Sequence, residues 1–380
     1  KQMSVLQGYT QKYYAVLESA FGAGADITGS DAIELTELKL EPSNEFVTIS
    51  EHKGTASPRS EARGKFSGSW SCSGYLKTRA SGQKPSCGVI LDAAFGNSQI
   101  FGPIRYSSVD ADPNNQSMCL VIHAGDYYAK ASGAIVEQLD IEQAAADLCK
   151  FTASGSYAAH SLCYGTEVSV AGAASGETEV PVDDPSKITA GAVVTVGGLD
   201  NSGSGYKVAS VGASSITLNP ALEDSVSQSA KVSAYTPAQS LLSAEVIPGT
   251  VASLSIDGSD LGFISFKASL KTGIHLLDKE VAYTASGAAR AIRELESEIS
   301  CYFSDDSSKF LGSKAIDGEL LAVSVRLGPD ESGKRVKISM PQCRIELTSP
   351  EIPEAEEATA SLSLKPKSLV AGDEIELLFD

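Results

Sequence analysis

Few residues of this 380-residue chain are spaced for chemistry. The histidines His52, His123, His160 and His275 stand in unrelated contexts, and none has a second His or a Cys at metal-ligand spacing. There is no GxSxG elbow, no phosphate-binding Gly-rich loop, no GxGxxG and no HExxH or CxxC pair. The acidic runs DDPS (Asp183–Ser186) and DNSGSG (Asp200–Gly205) lack the ligand spacing of a calcium loop and read as turn chemistry. Adjacent carboxylates such as Asp305 with Asp306, or Glu356 with Glu357, are not the facing pair that glycoside hydrolysis needs. A glycan hydrolase stays open only because facing carboxylates are invisible in a sequence. The expectation is therefore no catalytic residue, no cofactor and no metal.

What does ask for explanation is a polar surface. Ser67, Ser69, Ser71 and Ser73 alternate with Phe66, Trp70, Cys72 and glycines, and Glu294, Glu296 and Glu298 alternate with Leu295, Ile299 and other inward positions. Period two places each set on one face of a strand whose other face is buried. For one strand an ordinary solvated face explains this. Alternation in two strands of an acidic chain points instead to a polar, anion-repelling surface.

The elements that must carry these residues come in two similar units. From Gly64 to Gly96 the order is strand, polar loop and a short apolar helix, CGVILDAAFG, closed by Gly96. From Ala291 the order is strand, then SDDSSKFLG with Ser304 or Asp305 as N-cap of a short helix ended by Gly312. After Gly96 the pattern gives strands near Met118–Ala124, Ala134–Ile141 and Leu148–Ser154; after Gly312 it gives Glu319–Leu327, Arg335–Leu347 and Thr359–Leu364. An internal duplication at long period accounts for this order, against the alternative that any all-β chain shows such runs.

The chain divides into four parts. Residues 1–32 read as an N-terminal arm with one short helix, YTQKYYAVLESAFG, that orders on a neighbour or frays. Residues 33–163 form the first repeat, with a long polar loop HKGTASPRSEARG of the kind that is uncommon inside a compact domain. Residues 164–236 are rich in Val, Ser, Gly and Ala and read as an inserted barrel or sandwich of five or six strands. Residues 237–380 form the second repeat; within it ASGAARAIRELESEIS fits both a helix and a strand, and the repeat favours strand for its latter part.

Charge and cysteines bound the function. With 30 Lys and Arg against 48 Asp and Glu the net charge is −18, so net charge does not hold this protein to nucleic acid. Seven widely spaced cysteines in apolar strand patterns behave as small hydrophobes, which fits synthesis in a reducing cytoplasm. No apolar run approaches a membrane span and the first residues lack a signal-peptide core.

Taken together, KYYAVLESAFGAGADITGSDAIELTELKLEP, GKFSGSWSCSGYLK with CGVILDAAFG, FGPIRYSS with GAIVEQLDIE and LCKFTASGSY, and RELESEISCYFSDDSSKFLG with VSVRLGPDESGKRVKISMPQCRIE resemble the tail tube proteins, or major tail proteins, of long-tailed bacteriophages. The resemblance covers about three quarters of the chain and omits the insert. It implies an all-β fold with short flanking helices, tandem tail-tube sandwiches whose sheets join across subunits into rings, and rings that stack into a tube carrying double-stranded DNA. Two tube folds per chain then imply a homotrimeric, pseudo-hexameric ring, with a homohexamer of single folds as the alternative. Implied partners are further copies, the tape measure, terminator and baseplate proteins, and DNA that passes without specific binding. The implied location is the virion tail, after assembly in host cytoplasm and with no membrane. On this reading Ser67, Ser69, Ser71, Ser73, Glu294, Glu296 and Glu298 face the lumen, and Tyr13, Tyr14, Phe21, His52, Lys53, Arg59 and Arg63 make inter-ring contacts. The insert sits outside as decoration. The rival is a β-rich tail-tip adhesin with the insert as its head.

Overall fold

A computed structural model describes residues 10–48, 61–96, 98–100, 103–108, 111–169, 172–304, 307–308, 310–346, 350–352, 357–368 and 372–380. The fold is all-β with short helical pieces, and its centre is one large antiparallel sheet of 14 strands. Along it lie, in order, the Leu254 strand (Ala252–Ile256), the Val323 strand (Leu320–Leu327), the Ile338 strand (Val336–Glu346), the Leu362 strand (Thr359–Pro366), the Ile299 strand (Glu294–Tyr302) and the Ala268 strand (Ser265–Lys271). The sheet continues without a break through the Ile141 strand (Gln138–Ala144), the Phe151 strand (Lys150–Tyr157), the Trp70 strand (Glu61–Tyr75) and the Leu40 strand (Glu37–Thr48). The outer edge of the Leu40 strand carries no partner strand among the described residues. Within residues 33–163 the sheet order is Leu40, Trp70, Phe151, Ile141; within residues 237–380 it is Ala268, Ile299, Leu362, Ile338. In each group of four, chain order and sheet order are related in the same way: first, second, fourth, third.

Alternation makes this sheet two-faced. Leu38, Trp70, Cys72, Ala153, Leu139, Ile141, Phe266, Leu270, Leu295, Ile299, Leu362 and Leu364 are buried on one face, in the same apolar cluster as the helix Gly88–Phe95. Ile90, Leu91, Ala93, Ala94 and Phe95 are all buried, so that helix lies inside the core, and Gly96 closes it at φ 88°. Its one charged residue, Asp92, is buried and held by Lys84 at 2.6 Å. The second helical piece, Phe310–Lys314 and Ala315–Asp317, is broken at Gly312, whose φ −85° and ψ −110° are non-helical, and its last turn ends at Gly318 in the left-handed conformation.

Behind the core stands a five-stranded sheet ordered Ala159–Cys163, Tyr127–Ala134, Met118–Ala124, Lys12–Leu17, Ala32–Ile33. Here the expected N-terminal helix is corrected. Lys12–Leu17 is a central strand, paired over its whole length with Met118–Ala124 and at its start with Ala32–Ile33. The segment KYYAVL has helical formers, but alternation decides: Tyr13 and Ala15 pack into the main core, while Tyr14 packs on the opposite side. The expected single strand Ala134–Ile141 is also two, Tyr127–Ala134 in this sheet and Gln138–Ala144 in the large one, with Gly133 at φ 66° where the chain changes sheets. Ala288–Arg290 and Ile274–Leu276 pair as a small hairpin, which answers the ambiguous stretch as strand.

The insert is a six-stranded antiparallel sheet ordered Thr166–Glu167, Lys231–Ala234, Val193–Val196, Tyr206–Val211, Ser215–Asn219, Glu179–Pro181. It is not a detached unit. Tyr14, Cys119, Val121, Tyr128 and Cys163, from the outer face of the five-stranded sheet, share one apolar cluster with Val168, Val180, Val194, Tyr206, Val208 and Val232 of the insert. Tyr14 is fully buried there and donates its hydroxyl to the carbonyl of Pro237 at 2.6 Å. The layers are therefore the open face of the large sheet, the main core, the five-stranded sheet, a second core and the insert.

Candidate interaction face

The open face of the large sheet gathers the residues singled out in the sequence. Pairing fixes rows that run perpendicular to the strands. One row reads Glu37, Ser73, Thr152, Asp140, Ser269, Glu296 and Lys365. The next reads Lys39, Ser71, Ser154, Gln138, Lys271 and Glu294. A third reads Tyr75, Lys150, Glu142, Lys267, Glu298, Ser363 and Glu346. Ser73 and Glu296 thus share a row four strands apart, about 19 Å at ordinary strand spacing. Ser67, Ser69, Ser71, Glu294, Glu296 and Glu298 are exposed, and Ser73 is half-buried.

The geometry changes the electrostatic expectation. The three glutamates do not form a bare anionic strip, because lysines of the neighbouring strands stand beside them. Lys271 Nζ lies 3.1 Å from Glu294, and Lys365 is paired with Glu296. Lys267 Nζ lies 2.5 Å from Glu142, with Glu298 directly opposite it on the other side. Lys39 meets Glu37 at 2.9 Å, and Lys150 meets Asp147 at 2.6 Å. The hydrogen bond from Lys365 holds the Glu296 carboxyl below its usual range, and the bond to Glu142 raises the Lys267 ammonium. The face is a lattice of mixed charge with serine between, polar throughout and close to balanced, with Arg344 standing exposed opposite Lys365. Sequence reading missed Asp140, Glu142, Lys267, Lys271 and Lys365. Their signal was present: Lys267 and Lys271 sit four apart in SFKASLK, on one strand face, at the spacing of Glu294 and Glu298.

The residues assigned to inter-ring contacts fare differently. Tyr13 and Tyr14 are buried within the chain, and Phe21 packs beside Ile135, Ile274 and Ala288, so these three do not form a free arm. His52, Lys53 and Arg59 lie outside the described residues. Arg63 is in the Trp70 strand, its backbone opposite Phe46. At that end of the sheet Phe46 is 63% exposed, and Tyr283 packs near Phe66 and donates its hydroxyl to the Asn44 side-chain oxygen at 2.8 Å.

Elsewhere a groove of about 620 Å³ runs between the insert and the segment before residue 30, lined by Asp26, Thr28, Asn201, Ser204, Lys207 and Asn219. Among the described residues no grouping of His, Cys, Asp and Glu is arranged to hold a metal ion. No described helix is long and apolar enough to cross a membrane. All seven cysteines are unpaired and buried. No protein-family model matches the chain, and the comparison with curated proteins finds no relative.

Proposed function

We propose that this chain is a structural protein of a phage tail tube, polymerising as stacked rings around a channel for double-stranded DNA. The observation that carries the reading is the single sheet that runs through both halves of the chain, apolar and buried on one face and a serine and paired-charge lattice on the other. A wall for a moving polyanion has to be wet, smooth and without net attraction. Serine and compensated charge meet that requirement where bare lysine or arginine would retain the duplex through its phosphates.

The repeated order of four strands supports two tube folds per chain, so three chains complete a six-fold wall and the product is a homotrimeric, pseudo-hexameric ring. The unpartnered edge of the Leu40 strand is the joint to the next copy, since a long exposed edge is a liability unless something covers it. Ring stacking is heterologous and open-ended, which produces a filament. The insert, two layers behind the polar face, decorates the outside. No step of this function is catalytic, and its place is the virion tail.

Negative-stain electron microscopy of the purified protein over a concentration series tests the reading. Hollow tubes, or rings with three outer knobs, are expected. Compact monomers at every concentration, or solid trimeric spikes, would overturn it in favour of a tail-tip adhesin.

A further inference from the structure

Three of the lysines on the open face flank the Ile299 strand. Lys267 and Lys271 lie on one strand and Lys365 two strands away, on a serine-rich surface. Such a strip would by itself be a phosphate-binding surface, because lysines on a flat sheet neutralise phosphates and release the counterions of DNA. Here each ammonium is already engaged by a carboxylate from the adjacent strand: Glu142, Glu294 and Glu296. These pairs are solvent-exposed and individually weak, but they are local. A phosphate that approaches one of these lysines meets a carboxylate at the same distance, and the attraction cancels within a Debye length of about 8 Å.

We propose that the open face is a latent binding surface for duplex DNA, kept silent by Glu142, Glu294 and Glu296, so that a duplex lies along it without being held. The biological use rests on the conduit reading above; the physical claim concerns the isolated chain. It differs from simple repulsion, since a repelling wall needs only excess acid, whereas here these three lysines are present and masked. The masking carboxylates come from strands on both sides of the joint between the two halves, Glu142 from one and Glu294 and Glu296 from the other.

The test is fluorescence anisotropy of a short labelled duplex with full-length, unassembled protein isolated by size exclusion. The Glu142→Gln, Glu294→Gln, Glu296→Gln variant should bind, while the parent should not. Three uncovered lysines give a salt slope near −2.7, so affinity should fall about 40-fold between about 50 and about 200 mM salt. A control with the same charge change on the insert, Glu167→Gln, Glu177→Gln, Glu179→Gln, should stay silent. Adding Lys267→Gln, Lys271→Gln and Lys365→Gln to the binding variant should abolish binding. Binding by the parent equal to the variant, or no difference between the variant and the insert control, would overturn the proposal. Circular dichroism on each variant verifies folding, and glutamate-to-lysine exchange at Glu294 alone supplies a second reading if the triple variant misfolds. Microscopy of the same preparations reports assembly separately, so loss of the conduit reading is distinguishable from loss of this one.

Discussion

Cys301 stands directly opposite Ala360 across the antiparallel pair of the Ile299 and Leu362 strands, the relation that Cys72 has to Ala153 between the Trp70 and Phe151 strands. The alanines are the middle residues of two identical triplets, Thr152-Ala153-Ser154 and Thr359-Ala360-Ser361. Sequence likeness and strand register therefore agree independently at this point. The match also aligns the joints: Asp140 lies between Thr152 and Ser269, and Glu351 bridges Thr359 as Asp140 pairs with Thr152.

The first prediction extends that alignment to the ring. Ser269 of the Ala268 strand pairs with Glu296, and its counterpart in the Leu40 strand is Ser43, whose outer side has no partner strand among the described residues. If rings repeat the internal joint, Glu351 of one copy lies opposite Ser43 of the next. A Ser43→Cys, Glu351→Cys variant should then form an intermolecular disulfide on oxidation, because antiparallel partners bring Cα atoms to about 4.5–5.5 Å, within disulfide range. Denaturing, non-reducing electrophoresis should give a ladder ending at a closed trimer. Only monomer, or loss of protomers to random aggregates, would contradict the register. The native thiols do not compete, since all seven are buried.

The core under the Trp70 strand gives a second prediction. Trp70 donates its indole N–H to the carbonyl of Ile135 at 2.9 Å, and Gly155 lies so close that a Cβ there would fall 2.0 Å from the same oxygen. Gly155→Ala should force that carbonyl away and cost about 1–3 kcal/mol, the usual range for overpacking. Trp70→Phe removes the donor and leaves the buried oxygen short of a partner, with a loss on the order of 1–3 kcal/mol. Thermal melts of each variant check both, and an unchanged melt for Gly155→Ala would show that the chain yields there.

The cysteines supply a third. Burial pushes the Cys72, Cys87 and Cys343 thiols up to about 12, and Cys163 to about 11. With the thiolate form this unfavourable, an aromatic disulfide reagent at neutral pH should label none of the seven in the native protein and all of them in denaturant. Rapid labelling of any one under native conditions would place it in a locally open segment.

Much of this fold was legible because alternation is a local signal. The strands around Trp70 and Ile299, the helix ended by Gly96 and all six insert strands could be read from period and turn residues. What failed were decisions that depend on distant partners. KYYAVL became a strand because Met118–Ala124, far along the chain, offers it an edge, and because Tyr14 fits a second core built largely from the insert. Glycine stops were legible only in part: Gly312 does break the helical piece, but a further short turn follows and ends at Gly318. The polar face was half visible. Serine and glutamate rows show as period two within one strand, but Lys267 and Glu142 meet only after register is set, so the charge balance of the face belongs to the sheet.

A fourth prediction concerns pH. His160 lies beside Tyr157, with Nδ1 3.0 Å from the tyrosine hydroxyl, while its Nε2 is buried without a partner among the described residues. Burial lowers its pKa to about 4 from an ordinary 6.5, and burial likewise lowers that of His123. The unfolded chain therefore binds a proton at each site that the folded chain resists. Stability from His160 is fully present above about pH 6.5 and is lost as pH falls toward about 4, and His123 acts in the same direction. The melting temperature should decline across the upper part of that window, before most carboxylates titrate. His160→Gln, which cannot take up a proton, should flatten the decline even if it lowers the melt at neutral pH. A slope between pH 7 and 5.5 that is the same in both proteins would mean that His160 can reach solvent when it charges.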